Sequence, residues 1–320
     1  GMVYKLKTWR LPQGARTAKG KAIVNILPIP AGVSIAAIMP VDRDEKDWDD
    51  LQVIFATSAG TVRRNKLSDF TNVKSNGKIA MKFEGEHEGT TLINARIASN
   101  DDDVMLVTDA GRAIRFPATD VRVFNSRNSV GVRGIRLGED DNLVSMSVIR
   151  HFEASSEERV AYLKQRRLMA GLTDDESSDD EEEQVQAGQL STERYAEMSA
   201  AEDLILTITA KGAGKVSSAH DYPVRGRGGM GVTAWTKAMA HGPIVACFPV
   251  EMSDQVMLAT SKGQSIRVPV EGISFRSRSA GGVKVFSTGK NEEVVSVAWI
   301  ADQGNEEEEG EADEGSSAAE

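Results

Sequence analysis

Residues 255–270 read QVMLATSKGQSIRVPV, an apolar run, a polar pair, a glycine and a second apolar run. β-branched residues alternate with polar ones on both sides of the glycine, which is typical of two strands joined by a tight turn. The same pattern occurs three more times, in residues 52–67, 103–118 and 204–219. We therefore predict four β-hairpins, each turning at a glycine with a positive φ angle.

The spacing of these hairpins indicates a repeat. The turn glycines are Gly60, Gly111, Gly212 and Gly263, so neighbouring hairpins lie 51 residues apart except for one gap of 101. Two further apolar segments follow each hairpin, and four strands per repeat predict the blades of an all-β, propeller-like disc. The predicted repeats are about 1–51, 52–100, 103–149, 204–250 and 255–300, within one domain that covers 1–300. The first is incomplete: its opening strand is absent, and its other strands are expected at 3–12, 20–29 and 33–41.

Two acidic segments stand apart from the repeats. Residues 151–203 hold 15 acidic and 5 basic residues, and 301–320 hold 9 acidic residues and no base. Although the net charge is −10, the rest of the chain carries 33 basic against 24 acidic residues. The runs 174–183 and 302–320 contain too little apolar surface to offset the entropy of ordering. Both are predicted to be disordered. As flexible acidic segments tethered to a basic body, they are also predicted to compete with other anions for its cations.

The insertion at 151–203 also carries helix signals. Ser155 and Glu158 have the spacing of a capping box, which predicts a helix that runs to Gly171. A second short helix is expected at 191–201. We interpret the insertion as a partly helical acidic excursion that rests on a blade, and the alternative is a module that binds a protein partner.

Each repeat has a loop after its first hairpin that contains cations and no acidic residue. Because one unit recurs, equivalent loops lie at equivalent radii and predict an arc of positive charge for a curved polyanion. Glycines in the loops let a phosphate approach backbone N–H groups, whereas 5% aromatic residues are too few for stacking on single strands. These loops are 13–21, 72–82, 122–136, 224–237 and 276–290. The alternative is that the cations only keep the loops soluble.

A curved polyanion, bound through its phosphates, is therefore the predicted ligand, and the family resemblance described below implies that it is duplex DNA. The hairpin residues Arg63 and Arg64 are expected to contribute less to binding than Arg225 and Arg227, because the second pair lies in an acid-free glycine loop. The residues predicted to contact DNA are Arg16, Lys19, Lys21, Lys74, Lys78, Arg127, Arg133, Arg225, Arg227, Gly228, Gly229, Arg276, Arg278 and Lys284.

Other chemistries find no support in the sequence. No apolar stretch has the length of a membrane helix, and one cysteine, Cys247, excludes an internal disulfide and favours a reducing cytoplasm. Gly226, Gly228 and Gly231 match a dinucleotide-binding pattern, but the residues after them have the pattern of a strand rather than the required helix. We predict no catalytic group, metal site or cofactor on this chain.

Four stretches, in the same order, resemble the C-terminal domains of DNA gyrase A subunits: 3–29, 55–70, 130–145 and 255–268. The resemblance implies a six-bladed β-pinwheel whose blades exchange strands, and a non-catalytic domain of a type II topoisomerase. Such a domain bends and wraps duplex DNA around a basic rim and so supports ATP-dependent negative supercoiling.

The resemblance also implies the partners of the chain. The catalytic tyrosine lies in the preceding part of gyrase A, whereas ATP binds on gyrase B. The partners implied are therefore the rest of gyrase A and gyrase B, in an A2B2 assembly in the cytoplasm at the nucleoid.

One departure from the family pattern concerns its wrapping motif, the gyrase box Q-[KR]-R-G-G-[KR]-G, which belongs upstream of Gly1. Here 225–231 read RGRGGMG, keeping Arg227 and three glycines of the box and differing at the other three positions. The alternatives are the homologous domain of the A-type subunit of topoisomerase IV and a propeller scaffold for protein partners. A scaffold of this kind needs blade signatures such as Trp-Asp endings, which the repeats lack.

Overall fold

The computed structural model describes residues 1–14, 21–41, 44–83, 88–127, 129–169, 190–236 and 241–300. The acidic runs 174–183 and 302–320 lie outside the described residues. The strands are β1 (Met2–Val3), β2 (Gln52–Thr57), β3 (Thr61–Lys66), β4 (Lys78–Ile79), β5 (Leu92–Ala98), β6 (Asp102–Thr108), β7 (Arg112–Pro117), β8 (Val132–Arg133), β9 (Leu143–Arg150), β10 (Leu204–Thr209), β11 (Ala213–Ser218), β12 (Val232–Thr233), β13 (Ile244–Val250), β14 (Gln255–Thr260), β15 (Ser265–Pro269), β16 (Val283–Lys284) and β17 (Val294–Ile300). The helices are α1 (Ser156–Met169) and α2 (Thr192–Ala200).

All four predicted hairpins are confirmed. β2 pairs with β3, β6 with β7, β10 with β11 and β14 with β15, each antiparallel. Their turn glycines have φ angles between 74° and 90°, a region that residues with a Cβ rarely adopt. The local sequence therefore determines both where each hairpin turns and which strands it joins.

A third strand completes the inner edge of the four sheets that contain a hairpin. β5, β9, β13 and β17 pair with the first strand of the hairpin in their own repeat. These third strands also pack on one another in sequence, β5 on β9, β9 on β13 and β13 on β17. They therefore lie at the centre of the ring of sheets, and the hairpins extend outwards from them.

In four of the five sheets that the structure describes, the outer strand comes from the following repeat. β8 pairs with β3, β12 with β7 and β16 with β11, and β4 pairs with β1 in the same way. Each outer strand is two residues long. The prediction of four-stranded blades is confirmed for three sheets, with the addition that the blades exchange their outer strands, as the family resemblance implies. The described residues form five sheets in all, the first of only two strands, whereas the resemblance implies six blades.

The core lies between neighbouring sheets. Ile54 and Val62 of the second repeat pack against Leu106 and Phe116 of the third, and none of the four has any exposed surface. Similar clusters join the third sheet to the fourth and the fourth to the fifth. Because both faces of these blades are covered, β6 is buried at six of its seven residues, which explains its unbroken run of four apolar residues, 104–107.

The first repeat differs from the prediction. Residues 33–41 are not a strand, and the expected strand at 20–29 contains a 3-10 turn, Ile23–Asn25. These segments have no opening hairpin strand to pair with, and a strand needs a partner for its backbone groups. Val24 and Ile38 are accordingly 55% and 75% exposed.

Both helices of the insertion are confirmed. Ser155 Oγ accepts from the Glu158 backbone N–H, and Glu158 Oε2 accepts from the Ser155 N–H, so the predicted capping box is formed. The Arg150 N–H donates to Asp203 Oδ2 at 2.9 Å, so the insertion leaves and rejoins the blades at one place. Arg166 is bonded to Glu202 and stacks over the Phe275 ring at 4.1 Å. The first helix of the insertion, α1, thus rests on the neighbouring blades.

Candidate nucleic-acid interface

The basic loops run along the outer edges of the blades. We call residues 72–82, 122–136, 224–236 and 276–290 the rim loops. Three of them begin beside the second hairpin strand of the preceding repeat, through the bridges Arg64 to Val123, Arg115 to Val224 and Val216 to Phe275. Each then leads into the outer strand that it donates to that same blade. The predicted equivalence of the loops is therefore visible in their backbone contacts.

Exposed cations occupy equivalent places on this rim. Arg133 in β8 pairs with Thr61, and Lys284 in β16 pairs with Ala213, one residue after the turn glycine in each case. Both side chains are exposed. The other predicted contact residues that are exposed are Lys21, Lys74, Arg225, Arg227 and Gly229.

Neighbouring rim loops are joined by backbone hydrogen bonds. The Gly228 N–H donates to Gly134 O at 2.6 Å, and the Arg136 N–H donates to Gly229 O at 2.8 Å. One repeat further, the Thr236 N–H donates to the Ser279 carbonyl at 2.8 Å. The rim loops of the third, fourth and fifth repeats therefore form a continuous belt.

Three predicted contact residues serve the junctions between repeats. Arg127, Arg227 and Arg278 each donate to the carbonyl of an aspartate in the 3-10 turn of the preceding repeat. The three bonds are Arg127 Nη1 to Asp69 O at 3.3 Å, Arg227 Nε to Asp120 O at 2.9 Å and Arg278 Nε to Asp221 O at 2.8 Å. Arg278 is only 4% exposed, so its place is under the rim surface, whereas Arg227 also faces solvent.

Two further predicted contact residues are half-buried, Lys78 and Arg276. Lys78 Nζ donates to the Asp69 carbonyl at 2.6 Å. Burial and the nearby Arg127 lower the Lys78 pKa, while Asp69 opposes that shift. Arg16 and Lys19 lie outside the described residues.

The sequence did not identify three cations that hold the rim loops from within. Arg63, Arg112 and Lys215 lie on the second hairpin strands, and each donates to the rim loop of the following repeat. Arg63 and Lys215 have no exposed surface, and Arg64 is 6% exposed. The available signal was a cation one to three residues after the turn glycine of each of these three hairpins, because a cation on a strand that neighbouring repeats cover requires hydrogen-bond acceptors.

Metal ligation, thiol chemistry and dinucleotide binding are the other kinds of site that these residue types could form. Among the described residues, no three His, Cys, Asp or Glu side chains are grouped so as to hold a metal ion. Burial raises the pKa of the Cys247 thiol to about 11, which keeps it protonated. The glycines of 226–231 lead into the strand β12, as predicted. No described helix has the length and hydropathy that a membrane crossing requires.

Blades that exchange their outer strands around a ring, with a cation on three of the four exchanged strands, define the chain as a β-pinwheel. The chain belongs to the family described as DNA gyrase C-terminal domain, beta-propeller, whose model matches residues 1–42, 52–90, 102–150, 203–234 and 254–298.

Curated relatives extend this assignment. The chain is 44% identical over 309 residues to the DNA gyrase A protein of Granulibacter bethesdensis, covering 93% of this chain and 33% of the relative. It is 31% identical to the DNA gyrase A protein of Escherichia coli K12, over 96% of this chain and 29% of the relative. The chain therefore spans about a third of the length of the relatives it matches.

Solved structures share the fold. A DNA gyrase A C-terminal domain matches with a TM-score of 0.65 and 20% identity, over 94% of this chain and 80% of that one. The C-terminal domain of a DNA topoisomerase IV matches with a TM-score of 0.64 and 20% identity, over 88% of this chain and 70% of that one. The fold is thus common to both kinds of domain.

Proposed function

We propose that the rim binds the phosphates of duplex DNA without reading base sequence. The observation that carries this proposal is the recurrence of exposed cations at one structural position, Arg133 in β8 and Lys284 in β16. Loops rich in glycine bring backbone N–H groups close to a phosphate as well. Short outer strands and loops offer no helix for the major groove, so phosphate contacts dominate over base contacts.

The arrangement of the rim further supports bending. The belt of rim loops follows the outer edges of successive blades, and a duplex that contacts several of them has to curve. In this proposal the chain is the non-catalytic, DNA-wrapping C-terminal domain of a DNA gyrase A protein. It acts with the rest of gyrase A and with gyrase B in the cytoplasm, where ATP-dependent negative supercoiling takes place.

Binding is tested by measuring the affinity for duplex DNA over a range of salt concentrations. If about 6 phosphates are neutralised, the slope of log K against log salt is about −5. Duplexes of equal length and different sequence should bind within about threefold, because phosphates carry no sequence information. A flat salt response, or strong sequence preference, contradicts the proposal.

Wrapping needs a separate measurement. Nicked plasmid is incubated with the chain, sealed by ligase and freed of protein, and its linking number is compared with that of plasmid sealed alone. A shift in linking number that increases with protein concentration shows a chiral wrap. Binding without any shift in linking number favours the alternative, a domain that behaves like that of topoisomerase IV. In that case the degenerate motif of this chain, at 225–231, holds DNA without setting a wrap.

A further inference from the structure

The second hairpin strand of three repeats sends a cation into the rim loop of the following repeat. Arg63 Nη1 donates to the Ser129 carbonyl at 2.5 Å. Arg112 donates through Nε and Nη2 to the carbonyls of Met230 and Gly231, each at 3.3 Å. Lys215 reaches the last rim loop in the same way. Three junctions therefore use the same device with different residues.

Lys215 makes the most complete set of these contacts. Its Nζ lies 2.5 to 3.1 Å from four backbone carbonyls, three of which belong to the last rim loop. The four acceptors are Ala234 O, Ser277 O, Arg278 O and Ala280 O. The Trp235 ring lies 4.8 Å from the same ammonium group. These acceptors are uncharged backbone carbonyls. The ammonium group of Lys215 is therefore stabilised by hydrogen bonds that depend on where the loop backbone lies.

Because two of these side chains are buried, their charges need hydrogen-bond acceptors inside the protein. Arg63 and Lys215 have no exposed surface, and burying an ion costs several kcal/mol unless its hydrogen bonds are satisfied. The rim loop of the next repeat supplies the acceptor of Arg63 Nη1 and three of the four carbonyls around Lys215 Nζ. Arg63 Nε donates to Asn65 Oδ1 of its own strand, and Arg63 Nη2 has no hydrogen-bond partner among the described residues. Burial also lowers the pKa of Lys215 to about 7, because the ammonium group is shielded from solvent.

We infer that Arg63, Arg112 and Lys215 are positioning residues: each holds the rim loop of the following repeat at the angle at which its exposed cations meet DNA. The same part of the loop is also tied through its own arginine, because Arg227 and Arg278 reach back to Asp120 and Asp221. In each of these loops both attachments lie just before the outer strand, so they fix the place from which that strand starts. Only the part of the inference that concerns DNA binding rests on the proposed function; the positioning of the loop does not.

Arg112 offers the cleanest test, because it is only partly buried and its removal leaves the blade core intact. In Arg112→Met, amide hydrogen exchange in 226–236 should become about 10-fold faster, because the loop opens locally. Exchange in 52–66 should not change. Arg112→Lys, which keeps a charged donor, should restore most of the protection. Arg96→Met, an exposed arginine of β5, is the matched control and should leave both segments as they are.

DNA affinity is measured on the same variants. The Arg112→Met chain should bind duplex more weakly than Arg96→Met. Unchanged exchange in 226–236 overturns the inference, and so does an equal increase throughout the chain, which indicates general destabilisation. If the parent chain does not bind DNA, the proposed function fails while the exchange result still decides the positioning role. Lys215→Met repeats the test at 276–284, and if that variant does not fold, the Arg112 result stands alone.

Discussion

Arg227 and Arg278 lie at equivalent positions, 51 residues apart, and each donates to the carbonyl of an equivalent aspartate. Their exposure nevertheless differs: the Asp221 carboxylate accepts from the Arg278 backbone N–H at 2.7 Å and lies 3.7 Å from the Nε of the same residue, whose side chain is buried. Arg227 faces solvent. A cation in a basic loop is therefore not automatically a phosphate contact, and each has to be assigned from its surroundings.

Arg133 and Lys284 are the cations whose removal should affect DNA binding most simply. Arg133→Ala or Lys284→Ala should weaken duplex binding for all sequences and reduce the magnitude of the salt slope by about 1, the contribution of one phosphate. Stability should change by less than about 0.5 kcal/mol, as expected for exposed side chains.

The matched control is Arg96→Ala, an exposed arginine on β5 at the inner edge of the blade whose outer edge carries Arg133. It removes the same charge from the chain but not from the rim. An equal loss of salt slope in the control would show that total charge, rather than position on the rim, determines binding.

At the scale of elements, the outer strands are too short to persist alone and depend on close contact with the hairpin they join. Gly231 precedes β12 with a φ angle of 69°, and a Cβ there would lie 2.1 Å from the Ala113 carbonyl oxygen. Gly131 and Gly282 stand before β8 and β16 with similar backbone contacts. A glycine is thus required at each of these three places, where a blade receives its outer strand.

Gly231→Ala should therefore destabilise the fourth repeat's attachment to the third blade by about 1 to 3 kcal/mol, the usual range for local backbone strain. The free energy of unfolding in urea measures this change. Gly226→Ala is the control within the same loop, because nothing lies within 4 Å of its Cβ position. If both variants lose stability equally, the close approach is not what holds the strand.

At the scale of the whole molecule, the core lies between blades rather than within one, so neighbouring blades are fixed at defined angles. The curvature of the rim is then a property of the packed ring, and a bound duplex must bend to follow it. Smooth bending of a short site costs about 1 to 6 kcal/mol. This cost reduces the observed affinity for stiff DNA.

A duplex of about 40 base pairs with a short central gap in one strand should consequently bind more tightly than the intact duplex, because the gap relieves bending stiffness. Fluorescence energy transfer between labels at the duplex ends should also increase on binding. Equal affinities together with unchanged transfer would mean that the chain binds DNA without bending it.

The sequence by itself determined the features that depend on neighbouring residues. Gly60 and its equivalents mark the hairpin turns because only glycine readily adopts their φ angles, and Ser155 with Glu158 marks the start of α1 because both cap groups lie within one turn. The separation of basic loops from acidic segments was likewise readable, since charge is a property of composition.

Only the tertiary structure decided which strands complete each blade and which cations face solvent. Arg63 and Ser129 are 66 residues apart, and two-residue strands such as β8 have no pattern of their own. The same arginine or lysine either reaches water or donates to carbonyls, depending on where the following repeat places its loop. Sequence pattern is local, whereas the burial of a charge depends on acceptors that arrive from a distant part of the chain, and packing alone brings them together.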